Sequence, residues 1–333
     1  MIRVLIAEDS SLVATMMQEL LDEDPEIEVV GRAKNGREAI ELRNSLDPDV
    51  ITMDLNMPVL DGIQAIQAIA STRPVPILAV SQMIESRDSE IAFEALRSGA
   101  TDIMGKPSGY GQKGYLKVKE ELTSRVKLVS HIRPRRCLKK APPHIVATKP
   151  TRERDPKKGL VVVGASTGGP PALAIILRCF PPDFPLPVAI VQHMPAGFTK
   201  SFAQRLNQYS DMTVSEAIDG DLLAPGRAFI ARGEIQMSVV RSGGRWRIVY
   251  GTDEPVNRHC PSVDVLFDSV ARQAGNKTGK HAAGILLTGM GADGAKGLLN
   301  MRNCGAVTIA QDKRSCVVYG MPKVAVELGA VQH

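Results

Sequence analysis

Short, mostly apolar runs recur through the first third of the chain, and amphipathic segments separate them. Within these runs, apolar and polar residues do not alternate. The runs cover residues 3–7, 28–31, 50–53, 76–80 and 101–104. A continuous apolar run is typical of a strand buried on both faces, whereas a half-exposed strand alternates apolar and polar residues. Segments 12–21 and 36–46 show helical periodicity between these runs. Five strands with intervening helices predict a doubly wound, parallel α/β sheet.

The second half of the chain repeats this organisation. Residues 159–163, 186–192 and 284–288 form buried-strand patterns, each followed by a polar turn that contains glycine. We therefore expect a second doubly wound sheet, of the Rossmann-like type. The length of 333 residues is also sufficient for about two domains. The predicted boundaries are 1–125 for the first domain, 126–158 for a linker and 159–333 for the second domain.

The predicted linker is strongly basic and contains several prolines. Between His131 and Lys158, ten Lys or Arg residues accompany only two acidic ones, so this segment carries +8 while the whole chain carries +5. Its lack of apolar periodicity favours an exposed linker, and a docking segment for an acidic partner is the alternative. A nucleic-acid-binding chain would more often carry its basic excess on a folded face, so we expect no nucleic-acid partner.

The spacing of the cysteines and the lengths of the apolar runs indicate the cellular compartment in which we expect the protein. The five cysteines are widely spaced and form no C-x-x-C pair, which argues against a disulfide scaffold and against a zinc knuckle. No apolar run reaches the ~18 residues of a membrane span. The N-terminal run is cut by Glu8 and Asp9, unlike a signal peptide. We expect a cytoplasmic monomer that does not insert into a membrane.

Polar and charged residues follow the strands of the first predicted domain. Glu8 and Asp9 follow the first strand, Asp54 the third, Ser81 the fourth and Lys106 the fifth. Carboxyl ends of parallel strands share one edge of a sheet, and carboxylates gathered there would repel one another unless they held a cation such as Mg²⁺. Asp54 could then act as a nucleophile toward a phosphoryl donor, with Lys106 and Ser81 binding the phosphoryl oxygens. Each acid could also simply begin a turn or cap a helix.

The joint pattern resembles a response-regulator receiver domain. It consists of the acid pair, Asp54 before Met57-Pro58 and Asp61-Gly62, then Ser81 and Lys106-Pro107. The resemblance implies a flavodoxin-like fold, phosphorylation of Asp54 by a partner histidine kinase, and Mg²⁺ at Glu8, Asp9, Asp54 and the Asn56 carbonyl. Two positions depart from the family pattern: Glu8 stands where Asp is usual, and Ile103 stands where an aromatic switch residue is usual.

A serine lies in a tight turn at the start of the second domain. Gly164-x-Ser166-x-Gly168 connects a buried-strand pattern to a helical one, which is the context of a nucleophile elbow. The N-terminus of the following helix would offer backbone N–H groups to a developing oxyanion. A glycine-rich turn of this kind also cradles phosphates or simply reverses the chain, although G-x-G-x-x-G and the Gly-Lys-Ser/Thr ending are both absent.

A serine nucleophile needs a base and an orienting acid at the same sheet edge. His193 follows the strand pattern 186–192, and Asp293 follows the strand pattern 284–288. A structural histidine and a helix N-cap are the ordinary alternatives for these two residues. His259, which precedes Pro261, could cap a helix or line a substrate site. Together the three strand ends present Ser166, His193 and Asp293, in an order that differs from that of α/β-hydrolases.

The second domain resembles the catalytic domain of the chemotaxis receptor methylesterases, the CheB family. The matching segments are 164–169, 192–199, 261–267 and 287–294, and the preceding receiver and linker fit the family layout. The resemblance implies hydrolysis of glutamate γ-methyl esters on methyl-accepting chemotaxis receptors, with deamidation of particular glutamines as a further activity. It also implies that Met290 and Thr167 contribute to oxyanion or substrate binding. Ester hydrolysis by these residues needs no cofactor.

A receiver beside a hydrolase predicts gating. We expect the unphosphorylated receiver to obstruct the Ser166 edge and phosphorylation of Asp54 to release it. The sequence is also compatible with two other functions. One is a phosphorylation-dependent binding protein without turnover, which would tolerate loss of the Ser166 hydroxyl. The other is a DNA-binding response regulator, which the basic segment favours but for which the second domain shows no helix-turn-helix pattern.

Overall fold

Two parallel β-sheets, one in each half of the chain, organise the computed structural model. It describes residues 1–81, 86–106, 112–132, 159–194, 196–273 and 281–333. The chain divides into two units, Met1–Lys140 and Ala141–His333. Most of the basic linker, residues 133–158, lies outside the described residues. Within the described ranges, no helix has the length and apolar character needed to cross a membrane.

The first unit is a five-stranded sheet with all strands parallel, in the order β2-β1-β3-β4-β5. The strands are β1 (Ile2–Ala7), β2 (Ile27–Ala33), β3 (Val50–Asp54), β4 (Ile77–Ser81) and β5 (Asp102–Gly105). The helices are α1 (Ser11–Asp22), α2 (Gly36–Leu46), α3 (Gly62–Thr72), α4 (Ser86–Ser98) and α5 (Gln112–Ser130). All five predicted strands are confirmed. Asp54 and Ser81 are the last residues of their strands rather than the first residues beyond them.

Side-chain caps start the helices close to the carboxyl ends of the strands. Ser10 caps α1, Asn35 Oδ1 accepts from the Glu38 N–H at 3.0 Å, and Asp61 Oδ1 accepts from the Gln64 N–H at 2.8 Å. These caps satisfy N–H groups that a helix N-terminus otherwise leaves unpaired. The strands between the helical layers are buried, and β3 and β4 are buried along their whole length. Burial on both faces explains their continuous apolar sequences.

The second unit contains a six-stranded parallel sheet in the order β13-β12-β6-β7-β9-β8 and a separate antiparallel hairpin, β10-β11. Its strands are β6 (Leu160–Ala165), β7 (Val188–Gln192), β8 (Thr213–Glu216), β9 (Arg227–Ile230), β10 (Met237–Ser242), β11 (Arg245–Tyr250), β12 (Ala282–Leu286) and β13 (Val307–Ala310). Its helices are α6 (Gly169–Arg178), α7 (Ala196–Tyr209), α8 (Val263–Gln273), α9 (Ala295–Asn303) and α10 (Met321–Glu327). The expected two parallel-sheet α/β folds are therefore present.

The strand order places a topological switch point at β6. The chain passes from β6 to β7 on one side and later returns to β12 on the other side. In open α/β sheets, ligands bind beyond the carboxyl ends of the strands at such a point. Ser166 follows β6 there. In the first unit the corresponding point lies between β1, which precedes Glu8, and β3, which ends at Asp54.

The packing of α8 against β6 depends on a glycine. A β carbon on Gly164 would lie 2.1 Å from Val263 Cγ1 and 3.0 Å from Val263 Cβ. Val263 is fully buried and its branched side chain is stiff, so it has little room to yield. Gly164 therefore sets how closely the first turn of α8 approaches the sheet.

We predict that Gly164→Ala lowers the free energy of unfolding by about 1–3 kcal/mol, because the added methyl group overpacks this contact. Urea denaturation of the full chain measures the change. Gly251→Ala is the matched control, since a β carbon there meets only ordinary contacts at 3.8 and 3.9 Å. Equal stability of the two variants would contradict the packing argument.

Candidate active site

The backbone brings Ser166 and His193 to neighbouring positions at the edge of the second sheet. Ala165 of β6 pairs with Gln192 of β7, and the His193 N–H donates to the Ala165 carbonyl at 3.0 Å. On the other side of β6, the Ser166 N–H donates to the Thr288 carbonyl at 3.0 Å. Ser166 thus lies between the segments that follow β7 and β12, which are the two segments that carry His193 and Asp293.

His193 and Asp293 form a buried hydrogen-bonded pair. His193 Nε2 lies 2.8 Å from Asp293 Oδ2, and the two side chains are 7% and 1% exposed. Because a carboxylate only accepts, we assign the proton of the neutral imidazole to Nε2. Nδ1 is then the acceptor, and it is buried without a hydrogen-bond partner in the described part of the chain. The structure therefore shows the base–acid contact but no hydrogen bond from Ser166 Oγ to Nδ1.

Asp293 is held by donors from several segments besides His193. Its Oδ1 accepts from Ser262 Oγ at 2.7 Å and from Asn257 Nδ2 at 2.8 Å, and its Oδ2 accepts from the Val263 N–H at 2.7 Å. Burial alone would raise the pKa of Asp293, but the hydrogen bonds from His193, Asn257 and Ser262 outweigh it and lower the pKa well below its ordinary value. Asp293 therefore stays ionised at neutral pH.

The alternative role of Asp293 as a helix N-cap does not hold. Gly294, with φ +86°, is the N-cap of α9, and no side chain caps that helix. Both carboxylate oxygens of Asp293 instead accept hydrogen bonds from outside α9. Its position just before a helix is therefore a consequence of the strand-to-helix turn.

Gln192 ties the backbones of the serine and the histidine together, which sequence reasoning missed. Its Nε2 donates to the Ser166 carbonyl at 3.0 Å and to the His193 carbonyl at 3.1 Å, and the residue is only 2% exposed. A β carbon on Gly169 would lie 2.0 Å from Gln192 Oε1. Its position just before the predicted base, at the start of the matching segment 192–199, was a sequence signal for this residue, but it indicated no role for the side chain.

Close packing explains the glycines after Ser166. Gly168 has φ +77°, a left-handed conformation that favours glycine. A β carbon there would also lie 2.4 Å from Val317 Cβ. Together with the contact between Gly169 and Gln192, this shows that the turn needs glycine for its backbone shape and its neighbours. A phosphate-binding role is not required to account for them.

His259 lies directly against His193. The two imidazole rings are stacked, with centroids 3.7 Å apart and planes inclined by 8°. The sequence suggested only a helix cap or a substrate-lining residue at this position. A contact between two rings that are 66 positions apart in the chain leaves no periodic or spacing signal, so sequence reasoning could not find it.

Thr167 and Met290, the predicted oxyanion or substrate residues, flank Ser166. Thr167 is buried, and its carbonyl accepts from Thr288 Oγ1 at 3.0 Å. Met290 follows Gly289, where a β carbon would lie 2.7 Å from Ser166 Cβ. The loop that carries Met290 therefore passes directly against the serine, while the Met290 side chain is 47% exposed.

The predicted phosphorylation residues also come together. Lys106 Nζ lies 2.8 Å from Asp54 Oδ2 and 2.9 Å from Glu8 Oε1. Burial raises the pKa of both Asp54 and Glu8, although hydrogen bonds from Lys106 act in the opposite direction. Burial would lower the pKa of Lys106, but its bonds to Asp54 and Glu8 raise it overall. One lysine thus incompletely balances these buried acids.

The donors present at this site fit a hard divalent cation. Carboxylate oxygens of Glu8, Asp9 and Asp54 lie within 4.8 Å of one another. Glu8 Oε2 is buried and has no hydrogen-bond partner in the part of the chain that the structure describes. Oxygen ligands and an uncompensated negative charge suit Mg²⁺. The glutamate at position 8 does not prevent this arrangement.

The other receiver positions are placed as follows. The Asn56 N–H donates to Asp54 Oδ1 at 3.2 Å, so the Asn56 peptide adjoins the acid cluster. Ser81 is fully buried, and its carbonyl accepts from the Lys106 N–H at 2.8 Å. Ile103 lies in β5 and is partly buried. Pro107 lies outside the described residues.

Comparison with known proteins agrees with this architecture. The family model "CheB methylesterase" matches residues 161–333, and "Response regulator receiver domain" matches residues 4–112. The chain is 44% identical over 99% of its length to a protein-glutamate methylesterase/protein-glutamine glutaminase of Sulfurimonas denitrificans, covering 94% of that protein. It is 45% identical, again over 99% of its length, to a protein of that name (number 1) from Caulobacter vibrioides, covering 93% of it.

The second unit is also similar to a solved structure. The CheB methylesterase catalytic domain of Thermotoga maritima is 40% identical, with a TM-score of 0.50. The match covers 52% of this chain and 90% of that domain.

We predict that Asp293→Ala lowers the free energy of unfolding by about 3–5 kcal/mol, because it leaves buried donors without their acceptor. Urea denaturation measures the change, with exposed Asp253→Ala as the control.

The stabilisation by Asp293 should depend on pH. Because the pKa of Asp293 is lowered in the folded state, its contribution to the free energy of unfolding is present above the unfolded pKa of about 3.9 and is lost as the pH falls toward the folded value. The gap between wild type and Asp293→Ala should therefore narrow in acid. A gap that does not depend on pH would contradict the assigned charge.

We predict that Mg²⁺ raises the melting temperature of the full chain and that Asp9→Asn removes most of the rise. Binding to the folded state alone stabilises it, by about 2.7 kcal/mol at a concentration one hundred times the dissociation constant. Calorimetry at matched ionic strength measures the effect, and Asp22→Asn is the control at an exposed acid. An equal rise in wild type and Asp9→Asn would show that Mg²⁺ does not bind at this cluster.

Proposed function

The chain belongs to the CheB methylesterase family, and from this premise we propose that it hydrolyses glutamate γ-methyl esters of chemotaxis receptors under control of its receiver domain. The observation that carries the proposal is the hydrogen bond between His193 Nε2 and Asp293 Oδ2 at the switch point next to Ser166. The printed names of the relatives also include glutaminase activity, and deamidation of receptor glutamines is part of the proposal.

In the proposed mechanism, Ser166 Oγ attacks the ester carbonyl while its proton moves to His193 Nδ1. Asp293 Oδ2 keeps Nε2–H in place and stabilises the imidazolium that results. Among the described residues, the buried Nδ1 has no hydrogen-bond partner, which supports this role because a serine hydroxyl needs a free acceptor. Apo structures often show long catalytic hydrogen bonds that tighten only when substrate binds.

The tetrahedral intermediate then collapses. The C–O bond to the methoxy group breaks, and His193 returns its proton to form methanol, which leaves an acyl group on Ser166. A water molecule that gives its proton to His193 cleaves this acyl-enzyme to the glutamate carboxylate and restores the serine. The Met290 N–H is proposed to hold the oxyanion, with Thr167 contributing to oxyanion or substrate binding, and an oxyanion donor contributes about 3 kcal/mol. For a glutamine substrate, the leaving group is ammonia.

The receiver supplies the switch in this proposal. Asp54 attacks a phosphoryl group donated by the histidine kinase and becomes an aspartyl phosphate, and Lys106 and Ser81 then bind the phosphoryl oxygens. Glu8, Asp9, Asp54 and the Asn56 carbonyl would hold Mg²⁺, which neutralises phosphoryl charge when bound. Lys106 already contacts Asp54, so phosphorylation must rearrange this contact.

Phosphorylation is proposed to release an obstruction of the Ser166 edge by the receiver. Moving such an equilibrium from mostly closed to mostly open takes about 5.5 kcal/mol of differential stabilisation. The proposed domain limits are those expected from the sequence, namely 1–125, 126–158 and 159–333. We further propose that the protein works in the cytoplasm as a monomer, since its receptor substrates present their methylated helices there.

We predict that Ser166→Ala abolishes methanol release from methyl-labelled receptor membranes, because the acyl group has no oxygen on which to form. Gas-phase transfer of labelled methanol measures the activity, and Ser242→Ala, at an exposed hairpin serine, should keep wild-type activity. Methanol release by Ser166→Ala would contradict the serine mechanism. Retention of receptor binding without any turnover in wild type would instead favour the binding-protein alternative.

We predict that Asp54→Asn removes the rise in methanol release that a small-molecule phosphodonor causes, while leaving the unstimulated rate within about twofold, a change of about 0.4 kcal/mol in the barrier. An amide is not nucleophilic enough to accept the phosphoryl group. The assay compares wild type, Asp54→Asn and the exposed-acid control Asp22→Asn, each with and without phosphodonor. A phosphodonor response in Asp54→Asn would place the switch at another residue.

A further inference from the structure

A tight turn carries His259, whose ring is stacked against the ring of the proposed base, His193. Residues Val256 and His259 exchange backbone hydrogen bonds of 3.0 and 2.9 Å, which closes a tight turn between them. The two central residues, Asn257 and Arg258, have φ values of +53° and +69°. Asparagine tolerates this left-handed region, whereas arginine adopts it only with backbone strain. Backbone strain of this kind persists where the surrounding structure enforces it.

Two contacts hold this turn against the histidine–aspartate pair. Asn257 Nδ2 donates to Asp293 Oδ1 at 2.8 Å. The buried Gln236 donates through Nε2 to the His259 carbonyl at 2.9 Å. Gln236 Oε1 also accepts from the Ser262 N–H at 2.8 Å, and Ser262 in turn donates to Asp293. The strained turn therefore places the Asn257 side chain against Asp293 and the His259 ring against His193.

The stacking affects two properties of the proposed base His193, namely the orientation of its ring and the stability of its protonated form. The Asp293 hydrogen bond fixes Nε2, but the imidazole can still tilt about that bond. A parallel ring at 3.7 Å blocks the tilt on one face. The base also becomes an imidazolium during the reaction, and the π face of an aromatic ring stacked on it attracts a cation, especially in a water-poor site.

We propose that His259 is a positioning residue for His193: its ring holds the imidazole in the plane required by Ser166 and favours the imidazolium form. This inference rests on the proposed function. His259 neither donates nor accepts the reacting proton, so a flat aromatic ring that cannot titrate should replace it. An aliphatic side chain of similar size should not.

The test compares His259→Phe and His259→Leu in the full-length protein, using methanol release from methyl-labelled receptor membranes. We expect His259→Leu to lower kcat about tenfold with KM within twofold, since a barrier increase of about 1.4 kcal/mol corresponds to a factor of ten. His259→Phe should retain kcat within about threefold. Arg258→Gly is the matched control, because it relieves the positive φ and leaves the ring in place. It should keep wild-type kcat and be at least as stable as wild type.

A second measurement separates positioning from general damage to the fold. Nitrogen-15 spectra of the histidine rings should show one defined His193 tautomer, protonated at Nε2, in wild type and His259→Phe, and averaged signals in His259→Leu. Thermal melting identifies an unfolded variant. If His259→Leu does not fold, His259→Gln, which is polar and lacks a ring, takes its place in both measurements.

Several results would overturn the inference. They are unchanged kcat in His259→Leu, an equal loss in His259→Phe, or a loss confined to KM, which would assign His259 to substrate binding instead. Each of these leaves the proposed function standing if Ser166→Ala remains inactive. Methanol release by Ser166→Ala would instead defeat the proposed function, and this inference with it.

Discussion

The buried, ionised carboxylate of Asp293 is the constraint on which the second unit depends. A charge that is 1% exposed is costly to remove from water, and the protein offsets this cost with hydrogen bonds from separate segments. His193 after β7, Asn257 in the turn before α8, and Ser262 at the start of α8 all donate to it. The same bonds that lower the pKa of Asp293 hold the imidazole beside Ser166. Charge compensation and assembly of the site are therefore a single physical arrangement.

The receiver also places buried acids at the carboxyl edge of a parallel sheet, but it compensates their charge less completely. In the part of the chain that the structure describes, its buried acids pair with a single cation, Lys106, and burial raises the pKa values of both acids. A site with an incompletely balanced negative charge is suited to bind a cation and then a phosphoryl group. Asp293 is compensated by donors from several segments, whereas Asp54 accepts from Lys106 and from the Asn56 N–H. The contrast follows from the number of donors that each fold brings to the carboxylate.

Sequence reasoning reached the parts of this structure that depend on local pattern. The continuous apolar runs predicted β1, β3 and β6, and the rule that sites lie beyond strand ends located Ser166, His193 and Asp293 on one edge. The sequence patterns did not predict the hairpin β10-β11, nor the strands β8 and β9. It also placed the strand before Asp293 at residues 284–288, whereas β12 ends at Leu286. Gln192 and His259 act through contacts between distant segments, and no spacing in the sequence records such contacts.

Activation of the Ser166 hydroxyl by His193, which Asp293 would hold in place, can be tested with an active-site-directed fluorophosphonate. The phosphorus of such a reagent forms a bond to the oxygen of a serine that a neighbouring base has activated, and fluoride leaves. Peptide mass spectrometry locates the adduct. We expect labelling of Ser166 in the wild-type chain and loss of that labelling in His193→Gln. Labelling at another residue, or equal labelling of Ser166 without the imidazole, would show that His193 does not activate Ser166.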